Sequence, residues 1–304
     1  MTNFSNIGYT LLGLFLVLNW GMLMSATFRK IVARVAGRHG IPIYQPWIDL
    51  VKNAGTRTTL SHGVMFYLGP VFRLTGAVGM FLFMPALVGV GNEHWLNFSF
   101  QGDIVLILYF QLFGMLGMAL GAGEGGQPHS AIGIGRGLAQ HAAIELPLTL
   151  GILSLAIQYQ TLSLVDIANA QQGGFLNWTL FTNPVASAAI LLAALGAFGH
   201  SPFNLVKAPN EIPIGPPTEY HGSYLGILMS SGAIIHVMEA ALFMNLVFGG
   251  ATNWIEFIIK TFLIYFYSIF VGVVFPRFRI EQSVVWFFKL PLVLGIIAIL
   301  IYSF

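Results

Sequence analysis

Two carboxylates stand in stretches of chain that are otherwise apolar: Glu145 in "HAAIELPLTL" and Glu239 in "IIHVMEAALF". A charged side chain at the middle of a spanning helix costs ~3 kcal/mol on insertion scales, so it faces a partner, a cavity or an ion path. His236 precedes Glu239 by three residues and shares its helical face. Pro147 lies two residues beyond Glu145 and frees a backbone carbonyl one turn back. Arg73, inside a third apolar stretch, is a counter-charge for either acid. The chemistry open to this set is proton or ion transfer, and the bland alternative is a buried ion pair that fixes helix packing. A further group is the loop "KAPNEIPIGPPTEYHGS", Lys207 to Ser223, where Glu211, Glu219 and Tyr220 sit among Pro209, Pro213, Pro216 and Pro217. Four prolines restrict that loop, and so reduce the entropy lost if something docks on it.

The elements that must hold these residues are membrane helices. The chain has 304 residues, 56% hydrophobic and 8% charged, against about 25% charged in soluble domains. A span needs roughly 20 apolar residues, and eight such segments are expected near 7–27, 64–90, 104–122, 138–159, 184–202, 223–248, 254–275 and 285–303. The first, uncharged from Met1 to Phe28, is too long for a signal-peptide core and is read as a span. The loops 28–63, 123–137, 203–222 and 276–284 hold Arg29, Lys30, Arg34, Arg38, Lys52, Arg57, Arg136, Lys207, Arg277 and Arg279, whereas 91–103, 160–183 and 249–253 hold no Lys or Arg. The positive-inside rule makes the first set cytoplasmic and leaves both termini on the far side. The expected fold is therefore all-α, a single polytopic membrane domain over 1–304. Within the first basic loop, "YQPWIDLVKNAG" predicts a short helix lying in the interface or an ordinary amphipathic connector.

Other chemistries are excluded or weak. Without a single cysteine the chain makes no disulfide, thiolate metal site or iron–sulfur ligation of its own. The net charge of +2 is scattered, which argues against nucleic acid. No zinc-protease helix, nucleophile elbow or phosphate-cradling loop occurs. "GIGRG", at 133–137, lacks a preceding strand and reads as a close-packing or bend element. Glu256 and Lys260 are spaced for a helix-surface salt bridge, and Lys289 for snorkelling. His62, His94 and His129 are isolated in loops.

Four stretches together resemble the subunit 1 family of respiratory complex I, and the membrane subunits of group 4 membrane-bound [NiFe] hydrogenases and related sulfur-reducing complexes in particular. They are "RKIVARVAGRHGIPIYQPWIDLVK", "SAIGIGRGLAQHAAIELP", "SPFNLVKAPNEIPIGPPTEYHG" and "PRFRIEQSVVWFFKLPL". The shorter first loop, "MFYLGP" and "GPPTEY" look closer to the hydrogenase-type branch.

The resemblance implies a subunit without bond chemistry or cofactor of its own. It would seat a hydrogenase-like or complex I-like large subunit and a small subunit with a [4Fe–4S] cluster, a NiFe centre being held, if anywhere, by those partners. Antiporter-like and small membrane subunits would flank it in the lipid. Residues implied for docking are Arg29, Arg34, Arg38, Gln45, Asp49, Lys52, Pro202, Phe203, Tyr220, Arg277 and Arg279. Those implied for an ion path are Glu145, Glu239, His236, Glu211, Glu219 and Arg136. The chain departs from the family at Ala197, Asn204, Lys207, Pro209, Ile214 and Gly232, where the resemblance leads one to expect acids; His200 lies beside Ala197, and Glu239 two turns from Gly232. Two other readings remain: a quinone-site subunit with a chamber lined by Phe28, Tyr44 and Trp47, and a stand-alone secondary transporter, for which no internal repeat is found.

Overall fold

The computed structural model describes residues 4–57, 62–87, 98–208, 211–212 and 214–303, so that His94, Pro209 and Pro213 lie outside the described residues. All regular structure among the described residues is helical. Helix α1 (Phe4–Val35) and the short α2 (Gln45–Ala54) come first. Next are α3 (Val64–Phe83), α4 (Asp103–Glu124) and α5 (Pro128–Tyr159), then α6 (Leu164–Ala170), a 3-10 turn, α7 (Thr179–Thr182) and α8 (Pro184–Ala197). The chain finishes with α9 (Ser223–Val247), α10 (Trp254–Val274), α11 (Ile280–Lys289) and α12 (Pro291–Ser303).

Among the described residues, seven helical segments are long and apolar enough to cross a membrane, the last being α11 and α12 taken together. The segment expected as a span over 184–202 is helical for only 14 residues, about 21 Å at 1.5 Å per residue. It stops there because Gly199 takes a positive φ of 60° and Pro202 cannot continue a helix. The last span starts at Ile280, earlier than expected, and is interrupted at Leu290 by Pro291, which opens α12.

Two helices overrun their expected ends. α1 has 32 residues, about 48 Å, well beyond a hydrocarbon core of ~30 Å. Nothing breaks it before Gly37, with φ 71°, so Arg29 and Arg34 ride on its last turns instead of in a loop. α5 likewise begins at Pro128, at the N-terminal position that tolerates proline, and carries Arg136 on a helix. α2 forms as expected, with Pro46 in its first turn. It packs on α1 and α9, and its Trp47 Nε1–H donates to Asn19 at 2.8 Å.

α9 is the axis of the bundle: every residue from Val237 to Val247 is buried. A helix enclosed on all sides is apolar on all sides. Around it, α3 and α4 pack most intimately, along a seam of small residues that lets their backbones approach. A Cβ on Gly117 would lie 2.7 Å from the Arg73 backbone nitrogen. The "GIGRG" stretch acts in the same way, because a Cβ on Gly133 would lie 2.8 Å from Pro216 Cδ. At the opposite end of α9, the buried Gln171 side chain donates to the carbonyls of Ile167 (3.1 Å) and Asn245 (3.0 Å) and accepts from Thr179 (3.0 Å) and Gly249 (3.1 Å). Glu256 and Lys260 pair at 2.6 Å, as their spacing predicts, and Lys260 also donates to the carbonyls of Phe248 and Gly250 at the end of α9.

Candidate functional site

A cavity of about 510 Å³ opens where α1, α2, α3, α4, α5 and α9 meet the segment 196–217. Glu239 projects into it from α9 and is only 4% exposed. Gln111 of α4 donates to Glu239 Oε1 at 3.3 Å, and His236 Nδ1 stands 3.5 Å from Oε2. The shared face expected of His236 and Glu239 is thus observed. Arg73, also in the wall, donates to the Gly114 carbonyl at 3.2 Å and lies within electrostatic reach of Glu239.

Past His236 lies His200, its ring centre 6.1 Å away with no direct hydrogen bond between the two among the described residues. Ser268 donates its hydroxyl to the Tyr265 carbonyl at 2.9 Å, so the 2.8 Å contact from His200 Nδ1 to Ser268 Oγ has the imidazole as donor. His200 Nε2 is then the acceptor for the Tyr265 hydroxyl at 3.3 Å. Phe28 stacks on the same ring at 4.2 Å. Four buried polar atoms on the cavity-lining residues have no hydrogen-bond partner among the described residues: Gln140 Oε1, His141 Nε2, His236 Nδ1 and Glu239 Oε2. Buried groups of this kind are normally satisfied; here His236 Nδ1 and Glu239 Oε2 face each other at 3.5 Å, and His141 Nε2 faces Glu145 at 3.8 Å.

Lys207, Arg29 and Arg73 bring positive charge to the wall. Lys207 lines the wall with much of its surface accessible; desolvation by the surrounding protein, followed by the charges of Arg73 and Arg29, pulls its ammonium down to about 8. Five positions at which the chain departs from the family it resembles, Ala197, Asn204, Lys207, Ile214 and Gly232, all line this one cavity.

The other expected ion-path residues lie elsewhere. Glu145 is outside the cavity wall: its side chain is 34% exposed on the flank of α5, and its Oε1 is 3.8 Å from Nε2 of His141, which does line the cavity. Arg136 donates to Glu211 at 2.7 Å, with Arg277 3.7 Å from the same carboxylate. Glu211 is exposed, and the hydrogen bond from Arg136 holds its carboxyl below the usual range. Glu219 sits 3.7 Å from His62 Nε2. These two acids fasten the proline-rich segment to α5, to the 275–279 stretch and to the start of α3.

Of the expected docking residues, Arg34, Arg38, Lys52 and Arg279 are exposed, Arg277 is half-buried, Arg29 faces the cavity, and Gln45 donates to Asp49 at 2.7 Å. Pro202, Phe203 and Tyr220 are buried and form no part of an outer surface. Phe203 packs on Phe278, Trp286 and Phe287, and Tyr220 stacks on Phe66 at 4.2 Å while donating to the Phe66 carbonyl at 2.8 Å. Burial, with Glu124 and Glu219 beside it, pushes the Tyr220 phenol upward. Phe28 is in the cavity wall, whereas Tyr44 and Trp47 are not.

Sequence reasoning passed over Gln111, Gln140, Tyr265 and Glu124. An isolated glutamine in an apolar span is a visible signal of a polar interior; Tyr265, among the aromatics of α10, carries none. Glu124 ends α4 and accepts from the Phe66 amide at 2.6 Å.

Comparisons with known proteins converge on one group. A family model described as NADH dehydrogenase matches residues 8–303. Among solved structures, the chain is similar to one in an archaeal respiratory membrane complex, the membrane-bound sulfane sulfur reductase. The identity is 29% and the TM-score 0.87, over 97% of this chain and 98% of that one.

Proposed function

The chain belongs to the NADH dehydrogenase family, as a complex I subunit 1-like membrane subunit of a respiratory complex, and from that premise we propose that it seats a peripheral redox module and couples electron transfer there to ion movement across the membrane. The observation that carries this reading is Glu239. It is a buried carboxylate in a cavity at the end of the bundle that bears the basic residues, with His236 3.5 Å from it and the hydrogen-bonded pair of His200 and Tyr265 in the same wall. Buried ionisable groups in membrane helices mark ion and proton relays. The positive-inside rule reads the cavity, the proline-rich segment and the exposed Arg34, Arg38, Lys52 and Arg279 as cytoplasmic.

On that face a large subunit and a [4Fe–4S] small subunit would dock, and antiporter-like subunits would follow in the bilayer. A change of charge or position at the seat moves the 203–207 segment, Lys207 included, which lines the same cavity as Glu239. The field at Glu239 then changes, and with it the occupancy of its proton or bound ion. Whether the module reduces protons, sulfur compounds or a quinone is set by those partners. The chamber favours a quinone reading only to the extent of Phe28, Phe203 and Tyr265 in its wall.

The test is the assembled complex in sealed vesicles, with ions moved per electron measured for Glu239→Gln. The substitution keeps the hydrogen-bond geometry and removes titration. Electron transfer should persist while the ratio falls several-fold; an unchanged ratio overturns the relay.

A further inference from the structure

The cavity carries more positive charge than its own acids can answer. Arg29, Arg73 and Lys207 line it, His141, His200 and His236 face it, and among the described residues Glu239 is the single carboxylate in the wall. Among the described residues none of the three strong cations forms an ion pair with a carboxylate. Three cations that converge on one cavity without a carboxylate partner focus a positive field there and draw in an anion. Beside Ser25, Gln111, Gln140 and Asn204, the wall has an apolar and adaptable part formed by Met22, Met115, Met118, Met229, Leu225 and Leu228. Its volume of about 510 Å³ is that of a small-molecule site, far more than a bare inorganic anion fills. The position agrees. Arg29 stands at the end of α1 where it leaves the apolar run, and Pro46 opens the interfacial α2; that is the depth at which an amphiphile keeps its headgroup.

We propose that this cavity binds an anionic amphiphile, with its carboxylate or phosphate headgroup on Arg29, Arg73 and Lys207 and its chain against Met22, Leu225 and Met229. A neutral quinone leaves the three cations unanswered; a fatty acid or an acidic phospholipid answers them. Bound there, it replaces solvent beside His236 and Glu239 and sets the field in which the relay works. The inference thus deepens the coupling reading and rests on it for the cavity's role, while binding is measured without reference to ion movement.

The experiment uses the assembled complex in phosphatidylcholine vesicles, with spin-labelled stearate and spin-labelled phosphatidylglycerol as probes. The methyl ester of the stearate label and spin-labelled phosphatidylcholine are the neutral controls. An immobilised component is expected for one or both anionic probes, stearate alone assigning the site to a fatty acid and phosphatidylglycerol alone to a phospholipid. Both neutral probes should bind about tenfold more weakly, and Lys207→Gln should weaken the anionic probes by about tenfold, as the loss of one charged hydrogen bond implies. Arg29→Gln, on an exposed position at the end of α1, gives the same reading if the lysine variant fails to assemble. Equal immobilisation of neutral and anionic probes, or no change in either variant, overturns the proposal. An unaltered ion-to-electron ratio in Glu239→Gln would sink the relay and leave this result standing.

Discussion

Charge inside the bundle is concentrated in a few side chains whose neighbours decide what each can do. Glu239 touches Gln111 and His236 and feels Arg73, so its carboxyl is set by groups on three different helices. Glu145 has only His141 at 3.8 Å and is partly open on the flank of α5. It therefore suits transfer out of the chain better than storage within it, and Glu145→Gln should lower the ion-to-electron ratio by less than Glu239→Gln does; a larger loss would reverse their order. Lys207 is the residue whose titration is easiest to follow. Its folded value of about 8 lies below the 10.5 of the free side chain, so between those values the unfolded chain binds the extra proton and stability rises with pH. The penalty is complete below about 8. In delipidated protein, Lys207→Gln should thus raise the thermal midpoint most below that pH and the gain should fade toward pH 10.5. Arg29, Arg73, His200, His236 and Glu239 face the same space, and a parallel series in Glu239→Gln isolates the contribution of the carboxylate. A gain that grows with pH would contradict the assignment.

Elements hold these groups by close backbone approach and by a few fully used side chains. Gly117 on α4 leaves no room for a methyl group against the backbone of α3 beside Arg73. Gly117→Ala should therefore cost about 1–3 kcal/mol by overpacking, read as a lower thermal midpoint in detergent. Gln171 satisfies backbone groups from α6, α7 and the end of α9; Gln171→Leu orphans buried amides and carbonyls and should cost about 2–4 kcal/mol. The proline-rich segment depends on its ion pairs instead. Glu211→Gln should speed hydrogen exchange over 203–222 with little effect on the midpoint, because its pair with Arg136 is exposed.

Much of this level is legible in the chain. Apolar length locates the spans, Pro46 and Pro128 mark helix starts, and the spacing of His236 to Glu239 and of Glu256 to Lys260 gives the observed contacts. Helix ends are less legible, since Arg29, Arg34 and Arg136 are good helix formers that continue α1 and α5 past the apolar run. The depth of α9 is hidden because a helix buried all round has no face to display.

At the scale of the whole molecule, the bundle divides into a rim of arginines and lysines, a cavity behind it and apolar flanks. The charged rim and the acids could be read from the sequence. That Ala197, Asn204, Lys207, Ile214 and Gly232 converge on one cavity could not, because they come from α8, from the segment after it and from α9, and only the fold brings them together. The same convergence turns Tyr220, Phe203 and Pro202 from candidates for an outer seat into supports beneath it. The account as a whole stands on Glu239 changing its proton or ion in step with the redox module. The most direct measurement is the number of ions moved per electron by vesicle-reconstituted complexes, native against Glu239→Gln, with electron flux matched. A several-fold fall at preserved flux is the predicted result, and an identical ratio would contradict it.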